Sequence, residues 1–371
     1  MKYCLKWRAT STVICVLIVF ICCKKREISS ATNNYIAPES NSNKIENHTV
    51  KRLTSVEDII SKIDKKEDIY DIIDLANNLV KHDTRISDYL FTRLDEYPDD
   101  KEAICLYMQK AGVSDVMIPK VCEYLASGGT EIVLLERVVA QKPHLAINKL
   151  VELLATDLNI NNRVVMEITL EKVIKNIDIV DDEITNKLIR IYLNNNNDIW
   201  PAIKHIKPNP LKKLFEITNE CTNTQWLHLH FLLSQYNKET IPYIIEVMNG
   251  NNDNSKNRVI SFLKHEHELR NSLYKEIIIW IRKCYNYKMI ADLIGLLFET
   301  AKLDENITKE IVLFLVEIFN ESSSSYVCTF IAYDLQDLIA NNEDLRGIVK
   351  LKIYHNNDKN KVYLIDRILG N

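Results

Sequence analysis

Apolar residues recur at helical spacing through nearly all of residues 51–371, and this periodicity constrains the fold more than any other feature of the chain. Positions i, i+3, i+4 and i+7 share one face of a helix, so each stripe predicts a helix with one buried side. The sequence therefore predicts an all-α fold. Three representative stripes are Ile69, Ile72, Ile73, Ala76, Leu79 and Val80; Leu145, Leu150, Leu153 and Leu154; and Ile311, Leu315, Ile318 and Phe319.

The breaks between the stripes consist mainly of Asn, Asp and Pro. Asn and Asp accept left-handed backbone conformations and cap the helix that follows, so short Asn/Asp loops suit a chain of consecutive helices. Thr54-Ser55-Val56-Glu57 predicts a capping box at the first helix, and Glu276–Trp280 predicts a helix that is apolar nearly all round and hence central. The breaks fall at Pro98, Gly128-Gly129, Pro143, Asn194–Asn197, Pro208–Pro210, Asn249–Asn254 and Asn356-Asn357.

Internal repeats give the architecture. Asn148-Lys149-Leu150-Val151 recurs as Asn186-Lys187-Leu188-Ile189, an offset of 38 residues. A second pattern, an apolar helix followed by an Asn/Asp loop, a cation and Val, occurs three times. An offset near 40 residues is typical of armadillo and HEAT units, so the sequence predicts an armadillo/HEAT-like solenoid of stacked helix pairs with about eight units. The three cation–Val steps are Arg163-Val164, Arg258-Val259 and Lys361-Val362.

The N-terminus has the features of a secretory signal. A basic segment, Met1–Arg8, precedes the 12 apolar residues Thr12–Cys23, a stretch shorter than the ~20 residues that span a bilayer. We predict a signal sequence in residues 1–31; the alternative is an uncleaved signal anchor with Cys22 and Cys23 as acylation sites. Residues 32–50 are polar and predict a disordered linker, and residues 51–371 form the predicted repeat domain.

No motif in the chain indicates catalysis. The seven glycines form no nucleotide-binding loop, and no nucleophile signature occurs, so we expect no cofactor and no enzymatic activity. The triplets His228-Leu229-His230 and His265-Glu266-His267 have i, i+2 spacing, whereas helical zinc ligands use i, i+4. We therefore expect surface or half-buried histidines and no metal site. The acid pairs Asp99-Asp100 and Asp181-Asp182 precede helices, where carboxylates act as caps.

Other polar and aromatic residues have structural interpretations. With an overall charge of −4 and a net +5 in residues 1–31, the remainder carries −9, which disfavours nucleic-acid binding. The side chains of Trp200, Trp226 and Trp280 are expected in the core or a groove. Cys105, Cys122, Cys221, Cys284 and Cys328 contain no C-x-x-C pair and are expected to be buried. The candidate N-glycosylation sites are Asn47, Asn306 and Asn320.

The order of a signal sequence, a polar segment and a helical-repeat body resembles the nucleotide exchange factors of BiP, the ER-lumenal heat-shock chaperone. The best local similarity covers Ser55–Asp198, including Ile73–Ile86 and Lys142–Leu158. The resemblance implies an armadillo-like protein of the ER lumen that binds the nucleotide-binding domain of BiP and promotes ADP release during protein translocation and folding. The resemblance identifies no partner-contacting residue in this chain. The chain ends Arg367–Asn371 without a K-D-E-L-like signal, so the expectation covers ER entry but not ER retention.

Three alternatives stay open. Asp334–Asn341, Leu345-Arg346 and Asn356–Val362 resemble the C-terminal armadillo repeat of the vacuolar proton-pump H subunit, which implies a regulator on the cytosolic face of a membrane. A generic scaffold fits the same architecture. An enzyme with an unrecognised helical active site is the third hypothesis, which would require perturbed acids to converge in one pocket.

Overall fold

The computed structural model describes residues 55–79, 83–195, 198–353 and 359–370, all within one compact unit, Leu53–Asn371. The predicted signal sequence, the linker and Asn47 lie outside the described residues. The described residues contain no β-strand and 21 α-helices: α1 Val56–Asp64, α2 Ile69–Leu79, α3 Thr84–Thr92, α4 Lys101–Ala111, α5 Ile118–Ala126, α6 Ile132–Ala140, α7 Pro143–Leu154, α8 Ile160–Lys175, α9 Asp182–Asn195, α10 Trp200–Lys204, α11 Leu211–Glu216, α12 Asn223–Ser234, α13 Ile241–Asn249, α14 Asp253–Leu263, α15 His267–Ser272, α16 Tyr274–Lys283, α17 Tyr287–Ala301, α18 Glu305–Glu321, α19 Ser325–Ile339, α20 Glu343–Lys352 and α21 Lys359–Leu369.

Asparagine side chains start several of these helices. Asn159 accepts a hydrogen bond from the backbone N–H of Asn162, and Asn252 accepts one from Ser255, at distances of 2.9 and 3.0 Å. Asn286 begins α17 in the same way. These contacts satisfy backbone donors that the first helical turn leaves free. They confirm the predicted capping role of the Asn/Asp loops at Asn159 and Asn252.

The predicted cap of the first helix is wrong by one residue. Ser55 occupies the N-cap position, and its hydroxyl accepts a hydrogen bond from the backbone N–H of Asp58 at 3.3 Å. This start places Val56, Ile59 and Ile63 on the buried side of α1. Adjacent hydroxyl residues offer two alternative capping registers, and burial of the apolar stripe selects between them.

The helices pack mainly against near neighbours in the sequence. α5 contacts α7, α6 contacts α8, α17 contacts α19, and α19 contacts α21, which produces two interleaved rows of helices. The buried apolar side chains form one cluster that extends from α1 to α21. The structure thus confirms an all-α helical solenoid, in which each unit is stabilised mostly by adjacent units. Its assignment to the armadillo or HEAT type stays a prediction.

Side-chain hydrogen bonds to backbone carbonyls join consecutive units. In six of these bonds the two residues lie 33 to 42 positions apart, close to the repeat offset predicted from the sequence. Many of the acceptors are at helix C-termini, where the last four carbonyls have no partner within the helix. The bonded pairs are Asn162 with Ala126, Asn176 with Ala140, Tyr192 with His228, Tyr236 with Ile203, Arg258 with Thr218, and Lys361 with Phe319.

Two of the three predicted cation–Val steps use the cation in this way. Arg258 donates to the carbonyls of Thr218 and Cys221, and Lys361 donates to those of Phe319 and Asn320. At the first step, the amide of Asn162 bonds the carbonyl of Ala126, whereas the neighbouring Arg163 does not. The repeated motif therefore marks places where one unit caps a helix of the preceding unit.

The 38-residue repeat also corresponds to equivalent positions. Leu150 and Val151 are buried on α7, and Leu188 and Ile189 are buried at the matching points of α9, which packs against α7. The Asn that begins each copy of the repeat, Asn148 or Asn186, is exposed. The same pattern of burial and exposure thus recurs one unit later.

Three expectations are corrected. Leu145 is exposed, because α7 buries the side that contains Ala146, Ile147 and Leu150 instead. The segment Glu276–Trp280 lies in α16, which has an exposed side that includes Ile279, so this helix is not central. The 21 described helices exceed the sixteen of eight helix pairs, since some elements, such as α10 and α15, have only five or six residues.

Candidate partner-binding surface

The two histidine triplets meet in space although they are 35 residues apart in sequence. The rings of His230 and His265 have centroids 5.5 Å apart, and Nε2 of His230 lies 3.7 Å from a carboxylate oxygen of Glu266. Burial lowers the pKa of His230, with a further contribution from His265, and burial raises the pKa of Glu266. The sequence spacing did not predict this contact, because it depends on the packing of consecutive units.

A buried arginine explains the position of the second triplet. Arg270 donates to the carbonyls of Lys264 and Leu263 at 3.0 and 3.4 Å, at the C-terminus of α14, and its guanidinium lies 2.7 Å from Nδ1 of His267. His228 and His230 are half-buried, whereas His265 and His267 are exposed, as predicted. Within the described residues, no group of three or more His, Cys, Asp or Glu side chains is placed to hold a metal ion.

The predicted acidic caps differ between the two pairs. The carboxylate of Asp181 accepts a hydrogen bond from the backbone N–H of Glu183 at 2.6 Å, so this residue caps the start of α9. Asp100 occupies the N-cap position of α4, but its side chain makes no capping hydrogen bond. The capping prediction is therefore confirmed at Asp181 and is wrong for the Asp100 side chain.

The five described cysteines are all free thiols, and four are buried as predicted. Burial raises the pKa of Cys105 and of Cys122 to about 12, which keeps both thiols protonated. Cys284 differs, because it is half-buried in the loop between α16 and α17. Trp226 and Trp280 are buried and Trp200 is half-buried, in agreement with the predicted core or groove positions.

The two described sequon asparagines have different surroundings. Asn306 is exposed in the first turn of α18, where its amide donates to Asp304. Asn320 is half-buried near the end of the same helix, and its amide donates to the carbonyl of Lys352 at 3.0 Å. A glycan attached to the Asn320 nitrogen would disturb that contact, so Asn306 is the more accessible of these two candidate sites.

One helix carries apolar residues on both of its sides. The side of α19 that contains Val327, Ile331 and Leu335 is buried, and its N-terminus is capped by Ser324. On the opposite side, Tyr326, Phe330 and Tyr333 are 48%, 41% and 49% exposed. The spacing i, i+4, i+7 aligns these three rings along the outer face of the helix. We call these three residues the aromatic ridge.

The helices on both sides of α19 position the aromatic ridge. The rings of Tyr326 and Phe330 pack edge to face with centroids 4.9 Å apart, and the Arg367 guanidinium of α21 lies 4.0 Å from the Tyr333 centroid. Arg367 also donates to Gln336 on α19 at 3.2 Å. Lys302, which follows the last residue of α17, forms an ion pair with Asp337 of α19 at 3.4 Å. Each ridge side chain thus contacts another aromatic ring or a guanidinium group.

A carboxylate at the edge of this surface is electrostatically unusual. Asp334 follows Tyr333 on α19, is half-buried, and has one carboxylate oxygen with no hydrogen-bond partner. Burial raises its pKa to about 6, and the neighbouring charges of Asp337 and Glu299 contribute to the increase. The group lies near Glu299 of α17, where α17 and α19 pack together.

A second surface feature lies between two consecutive loops. The loop between α13 and α14 and the loop between α16 and α17 enclose a groove with a volume of about 780 Å³, which we call the loop groove. Trp280 and Met289 contribute to its floor, and Cys284 and Tyr285 lie at its edge. The loop groove is open to solvent.

Comparison with known proteins finds no match to any family model and no match among curated proteins. Among the helices that the structure describes, none combines the length and apolar character required to cross a lipid bilayer.

Proposed function

We propose that the protein is a non-enzymatic, protein-binding helical-repeat module and that the aromatic ridge is a principal contact surface. The observation that carries this proposal is the exposure of three aligned aromatic side chains on α19. Tyr and Arg are enriched among the residues that contribute most to protein–protein binding, and aromatic side chains lose little conformational entropy when they are covered. A helix that is apolar on both sides suits contacts on both sides.

The specific activity that we propose is nucleotide exchange on the ER chaperone BiP. Support for this activity comes from the similarity of the N-terminal organisation and of Ser55–Asp198 to that family. In this hypothesis the repeat body binds the nucleotide-binding domain of the chaperone and opens its cleft, and ADP dissociates. Because the chain acts on a nucleotide held by another protein, it needs no nucleotide-binding loop of its own.

The activity is tested by mixing the purified full chain with BiP that contains fluorescent ADP and measuring the dissociation rate. We expect the rate to rise with the concentration of the chain and then to saturate. An unchanged rate at saturating chain would overturn the exchange activity.

The contact surface is tested separately by measuring the affinity of the chain for the BiP nucleotide-binding domain. The triple substitution Tyr326→Ala, Phe330→Ala and Tyr333→Ala is expected to weaken binding at least tenfold. Tyr70→Ala is the matched control, because Tyr70 is 58% exposed on the distant helix α2. Equal affinities for the triple variant and the control would exclude the ridge as a contact surface.

The compartment is tested with residues 1–50 fused to a reporter that carries a glycosylation acceptor. Glycosylation of the reporter is expected if the segment directs the chain into the ER lumen. A reporter that stays unglycosylated would overturn the proposal of a lumenal chaperone partner and favour the cytosolic regulator.

A further inference from the structure

The loop groove has the layered composition of a peptide-binding site. Its floor includes the buried side chains of Met248, Trp280 and Met289, which come from three different helices. Methionine side chains are flexible and polarizable, so a floor with two of them adapts to different apolar side chains. Tyr285 is 96% exposed at the edge and is available to cover a bound chain.

The rim of the loop groove is positively charged. Lys256 at the start of α14 and Lys283 at the end of α16 both line it, and neither has an ion-pair partner among the described residues. Asp253 is the single acidic residue in the lining. Residues 32–371 carry a net charge of −9, so two unpaired lysines against one carboxylate form a local exception to the surrounding charge.

The helix dipoles add little to the positive charge of the rim. The groove is bordered by the C-termini of α13 and α16 and by the N-termini of α14 and α17, so the partial charges of the helix ends largely cancel. The lysine side chains therefore determine the sign of the charge that the loop groove favours. Lys256 is half-buried, which reduces the solvent screening of its charge.

Three primary amides complete the rim. Asn249, Asn251 and Asn286 are exposed around the groove. The carbonyl oxygen of Asn286 caps α17, but the side chains of Asn249 and Asn251 have no hydrogen-bond partner in the described part of the chain. A primary amide both donates and accepts hydrogen bonds, as a peptide backbone does, so these side chains match the backbone of an extended segment.

We propose that the loop groove binds an extended acidic segment of a partner protein. The amides of Asn249 and Asn251 bond its backbone, Lys256 and Lys283 pair with its carboxylates, and its apolar side chains contact the Met and Trp floor. This inference rests on the proposed function as a protein-binding module, but it requires neither the aromatic ridge nor the chaperone as the partner.

The probe is a fluorescein-labelled 12-residue peptide of alternating Glu and Leu, titrated with the full chain and followed by fluorescence anisotropy. We expect saturable binding that weakens as the salt concentration rises, because each lysine–carboxylate contact is screened by salt. The same peptide with Gln in place of Glu is expected to bind at least tenfold more weakly. Equal binding of the Glu and Gln peptides would overturn the acidic preference.

A charge-matched pair of variants locates the site. Lys256→Glu with Lys283→Glu is expected to lower the affinity for the Glu/Leu peptide at least tenfold. Lys309→Glu with Lys350→Glu makes the same change in net charge at exposed positions on α18 and α20, and is expected to change the affinity less than twofold. Equal losses in the two variants would mean that net charge alone controls binding, which would refute the proposed site.

A second measurement uses the unaltered chain and does not depend on the folding of any variant. The bound peptide is expected to slow the alkylation of Cys284, which lines the loop groove, at least fivefold. An unchanged alkylation rate under saturating peptide would overturn the proposal. The aromatic-ridge triple variant is expected to retain peptide binding, so a failure of the ridge hypothesis and a failure of this inference give different results.

Discussion

The inter-unit bond made by Lys361 gives a sharp test of how the repeats stabilise one another. Lys361 is 8% exposed, and its ammonium donates to the carbonyls of Phe319 and Asn320 at 3.0 Å each. Both acceptors lie in the last turn of α18, where carbonyls lack partners within the helix. The substitution Lys361→Met keeps most of the aliphatic chain and removes both hydrogen bonds.

The magnitude follows from two opposing effects. A hydrogen bond that involves a charged group contributes about 1.5–3 kcal/mol, and two such bonds are lost. The gain from no longer burying an ammonium offsets part of that loss. We therefore expect Lys361→Met to lower the free energy required to undock α21 from the rest of the fold by about 2–3 kcal/mol. Because α21 packs against α19 at the end of the described repeats, the effect appears as local opening.

Native-state hydrogen exchange measures this opening directly. A destabilisation of about 2–3 kcal/mol corresponds to roughly 30- to 150-fold faster exchange of the α21 amides, since each 1.4 kcal/mol is tenfold. The control is Lys350→Met, which changes an exposed lysine on α20. If the α21 amides exchange less than threefold faster in Lys361→Met, or equally fast in the control, inter-unit capping does not stabilise the terminal helix as described.

Three further predictions concern stability and reactivity. Gly129→Ala is expected to destabilise the fold by about 2 kcal/mol or more in urea unfolding, because an added Cβ would lie 2.0 Å from the Tyr124 ring; Gly295→Ala, with open space around its Cβ in the middle of α17, should stabilise it by about 1 kcal/mol. The pKa of Asp334 is raised to about 6 in the folded state, so its contribution to stability falls as the pH rises through the range from 3.8 to about 6. Asp334→Asn should therefore be more stable than the unaltered chain at pH 7, by about 1–2 kcal/mol, and this advantage should vanish near pH 4; an advantage independent of pH would contradict the assignment. Among the five described cysteines, Cys284 should react first with a maleimide under native conditions, as peptide mapping would show, and faster labelling of any buried cysteine would contradict the described burial.

The sequence predicted the helical class and the solenoid well because both depend on local periodicity. Leu150 and Leu154 recur at helical spacing and are buried, and the loop that begins at Asn159 caps the next helix as expected. The error at Leu145 shows a limit of periodicity. Leu145 belongs to the same apolar stripe but falls just outside the buried arc of α7, and periodicity alone does not measure the width of that arc.

The sequence did not predict most features of the two candidate surfaces. The aromatic residues of α19 follow the same helical period as its buried residues, so the pattern did not show that Phe330 faces solvent while Ile331 is buried. The loop groove joins Lys256 and Lys283, which are 27 residues apart and belong to different units. The sequence analysis did single out two features that border the loop groove, the Asn249–Asn254 break and Cys284.

The sequence by itself determined the helices, their breaks and the offset of about 40 residues between units, because backbone hydrogen bonding and capping act over a few residues. Only the tertiary structure decided which cations cap the preceding unit, which histidines meet, and which apolar side of α19 is left uncovered. These properties arise where two units come into contact, so they depend on the relative placement of residues that are 35 to 42 positions apart.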